Sequence, residues 1–271
     1  MLKAGVIGHP ISHSKSPLIH GHWLELYGIN GEYKTYDIAP ENLERGINDL
    51  IADGLKGFNV TLPHKQNIMT LCDSLSDEAR AIGAVNTVTI TESGGLYGHN
   101  TDAFGFSQNL LETIPDFYWS EKIVTVIGAG GAARAVLYAL QKNNCPEIRI
   151  TNRTRESAEK IGLPYDAKIY DWDKRHESCQ NAHLIINTTS LGMAGQPELE
   201  MNLSGMTNNA VVYDIVYNPL ETNLLKQAHQ KGAGCVTGIG MLLHQARPGF
   251  RGWFGVYPEV TENLRNILLK K

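Results

Sequence analysis

The segment 122–154 constrains the fold of this chain more than any other part of the sequence. A β-branched run at Lys122–Ile127 leads into a glycine-rich stretch at 128–133, helix-forming residues continue to Lys142, and a second β-branched run occupies Glu147–Thr151. The spacing G-x-G-x-x-A between a strand and a helix is typical of the turn that binds a dinucleotide pyrophosphate, although structural turns also use glycine. Because both flanking strands are present, we predict a dinucleotide-binding βαβ unit.

Three small residues have separate physical roles in such a turn. Gly128 permits the tight turn, Gly130 lets the backbone approach a phosphate, and Ala133 allows the helix to pack closely on the strand. The free N–H groups and the dipole at the start of the new helix would then hold the anion.

The residues at the end of the second strand indicate which dinucleotide is bound. NAD-binding units usually carry an acidic residue about 20 residues after the glycines, where it binds the ribose hydroxyls. This chain has Asn152-Arg153-Thr154-Arg155 there, and no acid before Glu156. A guanidinium attracts a 2′-phosphate by roughly 4 kcal/mol at about 4 Å and an effective dielectric of about 20, before desolvation. NADP is therefore favoured over NAD; the alternative is that both arginines are merely solvated.

Length and composition limit the class of protein. A chain of 271 residues favours two domains, and contents of 42% hydrophobic and 19% charged residues are ordinary for a soluble protein. A net charge of −4 gives no reason to expect nucleic acid or an anionic membrane as partner. The four cysteines lack C-x-x-C spacing. Since neither a signal peptide nor an apolar run of about 18 residues is apparent, we expect a cytoplasmic protein.

Paired histidines raise the question of a metal. His9 with His13, and His20 with His22, lie close together in the sequence, but no acid or cysteine completes either pair at a motif-like distance. Capping and surface roles suit them better, and we expect no metal.

A serine-rich loop follows the first predicted strand, Lys3–Gly8. Ser16 precedes Pro17, and a hydroxyl followed by proline is a favourable helix start, so Ser16 is predicted to cap a helix. Hydroxyls of Ser12, Ser14 and Ser16 at the carboxyl end of a strand would also suit a small carboxylate, because α/β proteins bind ligands at that edge. Both interpretations stay open from this segment alone.

Two charged residues, Lys65 and Asp102, lie at predicted ends of strands and helices where a packed core gives no reason for a charge. Lys65 follows a polar strand end at 59–61 and is predicted to open a helix, where the helix dipole disfavours a cation. It is therefore a candidate for chemistry, with a surface lysine as the alternative. Asp102 either caps the helix that starts near Ala103 or takes part in the same chemistry.

Strand and helix candidates alternate along the whole chain. Strand candidates between Lys122 and Thr237, with helices between them, predict an α/β doubly wound sheet. The first hundred residues are predicted to form a separate α/β unit, to which the tail after Gly240 returns. Further predicted elements are helices at 41–53, 173–179 and 258–271 and a strand at 84–91.

Several motifs gain meaning when they are taken together. They are IGHPISHSKSP at 7–17, NVTLPHK at 59–65, GAVNT at 83–87, GHNTD at 98–102, the turn at 128, NRT at 152–154, NTTS at 187–190 and GIGM at 238–241 with Gln245. In order and spacing these motifs resemble the shikimate dehydrogenase family nearly end to end. We find no departure at the motif positions, whereas the loop 195–205 matches nothing specific.

The resemblance implies an activity and an architecture. The activity is the NADPH-dependent, reversible reduction of 3-dehydroshikimate to shikimate, in the chorismate pathway to aromatic amino acids. The architecture is a substrate-binding and catalytic α/β domain at 1–101, with 240–271 packing back on it, and a Rossmann-like NADP-binding domain at 102–239, with a cleft between them. The expected partner is a small-molecule substrate, and the expected assembly is a monomer or a homodimer.

The resemblance also implies roles for individual residues. Lys65 would be the acid/base group, paired with Asp102, because reducing a ketone builds negative charge on its oxygen, which an ammonium stabilises and protonates. Substrate-binding residues would be Ser14, Ser16 and Tyr217 at the carboxylate, and Thr61, Asn86, Asp102 and Gln245 at the hydroxyls. Cofactor-binding residues would be Asp77, Gly128, Ala129, Gly130, Gly131, Ala132, Asn152, Arg153, Thr154, Arg155, Ile215 and Gly238.

Two other functions are consistent with parts of the sequence. A quinate/shikimate dehydrogenase would tolerate NAD and quinate, against which the acid-free segment Asn152-Arg153-Thr154 argues. A non-catalytic NADP-sensing module would keep the fold without turnover, but such a protein would have no need of both Lys65 and Asp102.

Overall fold

Two six-stranded sheets organise residues 1–270, which are the residues that the computed structural model describes. The chain divides into two units, one of residues 1–102 with 243–270 and the other of residues 103–242. None of the helices among the described residues is long and apolar enough to span a membrane.

The sheet of the first unit is mixed. Its strands are β1 (Leu2–Gly8), β2 (Gly31–Asp37), β3 (Gly57–Val60), β4 (Ser74–Leu75), β5 (Thr87–Ile90) and β6 (Leu96–His99). Their order in the sheet is β2-β1-β3-β5-β6-β4. Strand β1 runs parallel to β2 and β3, whereas β5 runs antiparallel to β3 and β6. The strand predicted at 84–91 starts at Thr87, so Asn86 stands just before it.

The sheet of the second unit is fully parallel. Its strands are β7 (Ile123–Ile127), β8 (Glu147–Thr151), β9 (Lys168–Tyr170), β10 (Leu184–Asn187), β11 (Val211–Asp214) and β12 (Gly234–Thr237). The order β12-β11-β10-β7-β8-β9 reverses direction between β7 and β10. This is the strand order of the Rossmann fold, with its ligand crevice at the reversal point. The predicted doubly wound sheet is confirmed.

Nine α-helices are found within residues 1–270. They are α1 (Ser16–Leu26), α2 (Leu43–Ala52), α3 (Asp77–Ile82), α4 (Asp102–Thr113), α5 (Gly131–Lys142), α6 (Arg155–Gly162), α7 (Asn223–Gln230), α8 (Gly238–Phe254) and α9 (Glu262–Leu269). Helix α2 shows why these segments fold as they do. Leu43, Ile47 and Leu50 recur at helical spacing and are buried on one face, where they join a core with Phe58 and Ile68.

Three predicted helices differ from the structure in extent. The helix predicted at 41–53 is preceded by a 3₁₀ turn, Pro40–Asn42, and the helix predicted at 173–179 is two 3₁₀ turns. The helix predicted at 258–271 begins only at Glu262, where the Thr261 hydroxyl accepts a hydrogen bond from the Leu264 N–H. Its predicted last residue lies outside the described residues. Two of these differences concern where a helix starts, which local capping decides, and the third is a difference of helix type.

Candidate active site

A lysine–aspartate pair forms the centre of the site in the first unit. Lys65 lies in a turn after β3, Asp102 is the first residue of α4, and the Lys65 Nζ is 2.6 Å from the Asp102 Oδ2. The two side chains are 22% and 10% exposed. The pair is shielded enough for its charges to interact more strongly than a surface pair, and both side chains are still partly exposed.

The structure corrects the predicted setting of Lys65. Residues 62–66 form a turn followed by a 3₁₀ helix at Asn67–Leu71, so Lys65 does not sit at the first turn of an α-helix. Its backbone is held by the Val85 N–H, which donates to the Lys65 carbonyl oxygen at 2.7 Å. The predicted position of Lys65 at a helix start is therefore wrong, although its pairing with Asp102 is observed.

Asp102 uses its side chain for the site and not as a helix cap. Its two carboxylate oxygens accept from different donors, Oδ2 from Lys65 and Oδ1 from the Asn86 Nδ2 at 2.7 Å. The Asp102 backbone N–H donates instead to the Asn100 Oδ1 at 3.0 Å. Because the Asn100 side chain accepts the N–H at the start of α4, the Asp102 carboxylate is left to bond the Lys65 ammonium and the Asn86 amide, which fix its orientation.

Asn86 joins Asp102 to helix α8. Its Nδ2 also contacts the Gln245 Oε1 at 3.3 Å, and its Oδ1 accepts from the Thr101 N–H at 2.9 Å. The Thr101 hydroxyl donates to the Gln245 carbonyl oxygen at 2.8 Å. Of the predicted site residues, the structure therefore brings together Lys65, Asn86, Asp102 and Gln245.

Two residues that support this group were not assigned from the sequence. The Tyr33 hydroxyl donates to the Asn59 Oδ1 at 2.7 Å, and the Asn59 Nδ2 donates to the Asn86 carbonyl oxygen and the Thr87 Oγ1, both at 3.2 Å. An asparagine inside the apolar strand β3 was the available signal, because a buried amide needs partners. Asn59 and Tyr33 hold the backbone at Asn86.

The predicted hydroxyl residues of the first unit lie on two adjoining loops. Ser14 and Ser16 are half-buried, and the Ser14 Oγ accepts from the Ser16 N–H at 3.3 Å. Ser16 is already helical and Lys15 occupies the cap position without a side-chain bond, so the predicted Ser16 cap was wrong. The Thr61 N–H donates to the Ile7 carbonyl oxygen at 3.0 Å, which places Thr61 beside the end of β1.

The glycine-rich turn of the second unit has room for a phosphate. Gly128 has a φ of +106°, and a Cβ there would lie 2.7 Å from the Thr189 Cγ2, so glycine is required. A Cβ on Gly130 or Gly131 would meet no protein atom within 4 Å. No side chain caps the first turn of α5. Open space beside uncapped N–H groups at a helix start fits a dinucleotide pyrophosphate.

The segment after β8 carries two arginines in different settings. Arg155 is engaged, since its guanidinium contacts the Glu159 carboxylate at 2.7 Å and also pairs with Asp171. Arg153 is exposed, and no ion pair within residues 1–270 involves it. Asn152 shapes this turn by donating from its Nδ2 to the carbonyl oxygen of Thr154, at 2.9 Å. Arg153 is thus the arginine available for a phosphate.

Ile215 and Gly238, predicted for the same end of the cofactor, lie in contact. A Cβ on Gly238 would overlap the Ile215 carbonyl oxygen, so only glycine allows this approach. Tyr217 follows on the same loop and is half-buried, which raises the pKa of its hydroxyl. Asp77, at the start of α3 in the first unit, is 96% exposed and lies 3.7 Å from the Arg80 guanidinium.

A buried carboxylate at the end of β11 was also missed by the sequence reasoning. Asp214 is 0% exposed, and burial raises its pKa to about 6. Its oxygens accept from Asn187, Val216 and Thr222. An aspartate closing the apolar strand Val211–Asp214 was the signal. Within residues 1–270, no group of three or more His, Cys, Asp or Glu side chains is arranged to hold a metal.

One unit of the chain is a doubly wound parallel sheet with an uncapped glycine turn, and the other carries a lysine–aspartate pair; these features are typical of a dinucleotide-dependent oxidoreductase. Two family profiles match, "Shikimate dehydrogenase substrate binding domain" over residues 6–88 and "Shikimate / quinate 5-dehydrogenase" over residues 110–216. The shikimate dehydrogenase (NADP(+)) of Rhodospirillum rubrum is 48% identical over 274 residues, covering 99% of this chain and 97% of the relative. The chain belongs to the shikimate dehydrogenase family.

Solved structures agree with this assignment. The Thermus thermophilus shikimate 5-dehydrogenase in complex with NADP(H) and shikimate superposes with a TM-score of 0.88 at 34% identity, covering 98% of this chain and 100% of that one. The quinate dehydrogenase of Corynebacterium glutamicum in complex with NAD gives a TM-score of 0.92 at 29% identity, covering 100% and 99%. The fold is thus shared by both types, and the choice between them depends on the site residues.

Proposed function

We propose that this protein catalyses the reversible NADPH-dependent reduction of 3-dehydroshikimate to shikimate. The observation that carries the proposal is the 2.6 Å pair of Lys65 and Asp102, held by Asn86 beside Gln245. The family assignment and the NADP(+) named for the relative at 48% identity support it.

Lys65 has the chemical role of proton donor and acceptor. In the direction of reduction its ammonium lies beside the substrate carbonyl oxygen, stabilises the charge that develops there and supplies the proton. Asp102 orients the ammonium through Oδ2, and because its Oδ1 is taken by Asn86 the carboxylate is not free to turn away. In the oxidation direction the same lysine takes the proton back.

Two sets of polar side chains hold the substrate, one at its carboxylate and one at its ring hydroxyls. Ser14, Ser16 and Tyr217 bind its carboxylate through their hydroxyls. Thr61, Asn86, Asp102 and Gln245 bind its ring hydroxyls. Support comes from the hydrogen bonds that already tie Asn86 to Asp102 and Gln245, because groups fixed before binding lose little freedom when the substrate arrives.

The proposed cofactor is NADP, whose reduced form would supply the hydride for reduction and whose oxidised form would accept it in the reverse direction. The turn residues Gly128, Ala129, Gly130, Gly131 and Ala132 would hold its pyrophosphate at the start of α5. The residues proposed for its remaining parts are Asn152, Arg153, Thr154 and Arg155 at the adenosine end, Ile215 and Gly238 at the nicotinamide end, and Asp77 near the cofactor. Among the arginines Arg153 has the main role, since Arg155 is paired with two carboxylates.

Two alternatives have weaker support. An NAD-tolerant quinate/shikimate enzyme is disfavoured by the exposed Arg153 and by the lack of an acid before Glu156. A non-catalytic NADP sensor is disfavoured by the intact ion pair of Lys65 and Asp102.

The cellular setting follows from the same proposal. We place the protein in the cytoplasm, in chorismate and aromatic amino acid biosynthesis, with a substrate domain at 1–101 and 240–271 and an NADP domain at 102–239. It acts as a monomer or a homodimer and binds neither nucleic acid nor membrane. The net charge of −4 and the family membership support this setting.

The test is a steady-state assay of the purified protein that follows the reduced-nicotinamide absorbance. Shikimate and quinate are each combined with NADP and with NAD. Rapid reduction with shikimate and NADP, and little with the other pairs, is the expected result. Comparable rates with NAD or quinate would favour the broader enzyme type, and tight NADP binding without turnover would favour the sensor.

A further inference from the structure

The carboxyl ends of β10 and β11 are joined by a buried polar cluster that the proposed function does not use. It consists of Asn187 at the end of β10, Asp214 at the end of β11, and Thr222 before α7. All three are at most 1% exposed. Buried polar groups of this kind are costly unless each is satisfied, so their arrangement is specific.

Asp214 accepts from three separate segments of the second unit. Its Oδ1 receives the Asn187 Nδ2 at 2.9 Å and the Val216 N–H at 3.0 Å, and its Oδ2 receives the Thr222 hydroxyl at 2.6 Å. The bond from Val216 folds the loop 215–217 back on the end of β11. The bond from Thr222 connects that loop to α7, whose Leu225 N–H is capped by the same hydroxyl.

Asp214 also fixes the orientation of the Asn187 amide. An ionised carboxylate can only accept, so Asn187 must turn its NH₂ toward Asp214. Its Oδ1 then faces Thr189, whose N–H and hydroxyl donate to it at 3.0 and 2.7 Å. The same NH₂ donates to the Leu191 carbonyl oxygen at 3.1 Å. One carboxylate thereby sets the conformation of the loop 188–191.

Both loops border the groups proposed to hold the cofactor. Thr188 and Thr189 lie against Gly128 of the phosphate-binding turn, and the Ile215 carbonyl lies against Gly238. A shift of the loop 215–217 would move Ile215 and Tyr217, and neither loop includes the segment 152–155 proposed for the adenosine end.

We propose that Asp214 is a positioning residue that fixes the loops 188–191 and 215–217 for the nicotinamide end of the cofactor. The proposal rests on the NADP-dependent activity proposed above. It predicts that loss of the carboxylate weakens binding of whole NADP but not of its adenosine half.

The experiment compares Asp214→Asn with wild type in three measurements. These are steady-state kinetics with shikimate, calorimetric titration with NADP, and calorimetric titration with adenosine 2′,5′-bisphosphate, which lacks the nicotinamide. Asn keeps the shape but presents an NH₂ to the Thr222 hydroxyl. We expect the KM for NADP to rise roughly tenfold or more and kcat to fall, with unchanged affinity for the bisphosphate.

Variants of Thr222, a hydrogen-bond partner of Asp214, keep the test independent of how well Asp214→Asn folds. Thr222→Val removes one donor and should show the same selective loss, whereas Thr222→Ser retains the hydroxyl and should behave as wild type. Ile148→Val, in the core of the same unit, should lower the melting temperature by about 2–4 °C without changing either affinity.

Two results would overturn the proposal. One is an equal loss of NADP and bisphosphate affinity in Asp214→Asn and Thr222→Val, which would mean a general structural role. The other is unchanged NADP kinetics in both. A wild-type protein without NADP-dependent turnover would instead count against the proposed function, so the two failures are distinguishable.

Discussion

The two units build their sites from different materials. In the first unit the site is filled by side chains that bond to one another, as in the contacts of Asp102 with Lys65 and Asn86. In the second unit the glycine turn presents backbone, and a Cβ on Gly130 would meet open space. A reacting group requires a fixed charge in a fixed direction, whereas a pyrophosphate requires N–H groups and room. The difference explains why one site is rich in polar side chains and the other in glycine.

The largest effect is expected when the charged pair is broken. Lys65→Ala should lower kcat by roughly 10² to 10⁴, because the group proposed to donate and accept the proton is removed. Steady-state assays with shikimate and NADP measure it. Lys56→Ala, an exposed lysine of the same unit, is the control and should leave kcat unchanged. Near-normal turnover of Lys65→Ala would remove Lys65 from the mechanism.

The open space at the glycine turn gives the next prediction. Gly130 has extended dihedral angles, φ −86° and ψ −167°, which alanine also adopts. Gly130→Ala should therefore fold with a melting temperature within a few degrees of wild type but raise the KM for NADP, by roughly 100-fold, since the methyl group occupies the space proposed for the pyrophosphate.

Two other glycine variants provide the comparison for Gly130→Ala. Gly128→Ala should be destabilised in folding itself, because of its positive φ and the contact with Thr189. Gly21→Ala, inside α1 with no protein atom near its Cβ position, should keep wild-type kinetics. An unchanged KM in Gly130→Ala would mean that the space at the turn does not bind the cofactor.

A smaller and more selective effect is expected at the adenosine end. Arg153→Ala should raise the KM for NADP roughly tenfold, since an exposed charge-assisted hydrogen bond is partly screened, and should leave the KM for NAD nearly unchanged. Arg155→Ala is the matched variant, with a weaker effect expected because Arg155 is held by Glu159 and Asp171. An equal change for both cofactors in Arg153→Ala would show that Arg153 does not bind the 2′-phosphate.

The two units should also respond oppositely to pH in their stability. Burial lowers the pKa of His20, stacked on Tyr33 at 4.0 Å in the first unit, to about 3. The neutral form is required there, so its contribution is complete above the unfolded pKa of about 6.5 and is lost as the pH falls. Burial raises the pKa of Asp214 to about 6, so in the second unit stability increases as the pH falls from about 6 towards 4.

Denaturant unfolding at about pH 7 and about pH 5 measures this contrast. Relative to His20→Phe, wild type should lose about 2 kcal/mol over that range, and relative to Asp214→Asn it should gain about 1 kcal/mol. Changes of the same sign for the two comparisons would contradict the account.

The sequence predicted the fold better than the details of the site. Strands such as Glu147–Thr151 were predicted with their observed bounds, because β-branched runs between turn residues depend on local preferences. Strand β9 was not predicted, because it has only three residues and none of them is fully buried. The start of α1 was predicted one residue too late: Ser16 was expected to cap the helix, but it is the first helical residue and Lys15 occupies the cap position.

The supporting residues could not be predicted for a different reason. Tyr33, Asn59 and Asn86 are far apart in the sequence, and their hydrogen bonds depend on the strand order of the sheet. Likewise, the role of Asp214 depends on Asn187 from the neighbouring strand. Such contacts are tertiary, so motif spacing alone does not show them.

The proposal that the first unit carries the chemistry and the second binds the cofactor is tested most directly by one calorimetric titration. It measures the dissociation constant of NADP for wild type, Lys65→Ala and Arg153→Ala. The account predicts an unchanged constant for Lys65→Ala, since its loss is one of proton transfer, and roughly tenfold weaker binding for Arg153→Ala. Equal weakening in both variants, or weakening in Lys65→Ala alone, would contradict the assignment of chemistry to one unit and cofactor recognition to the other.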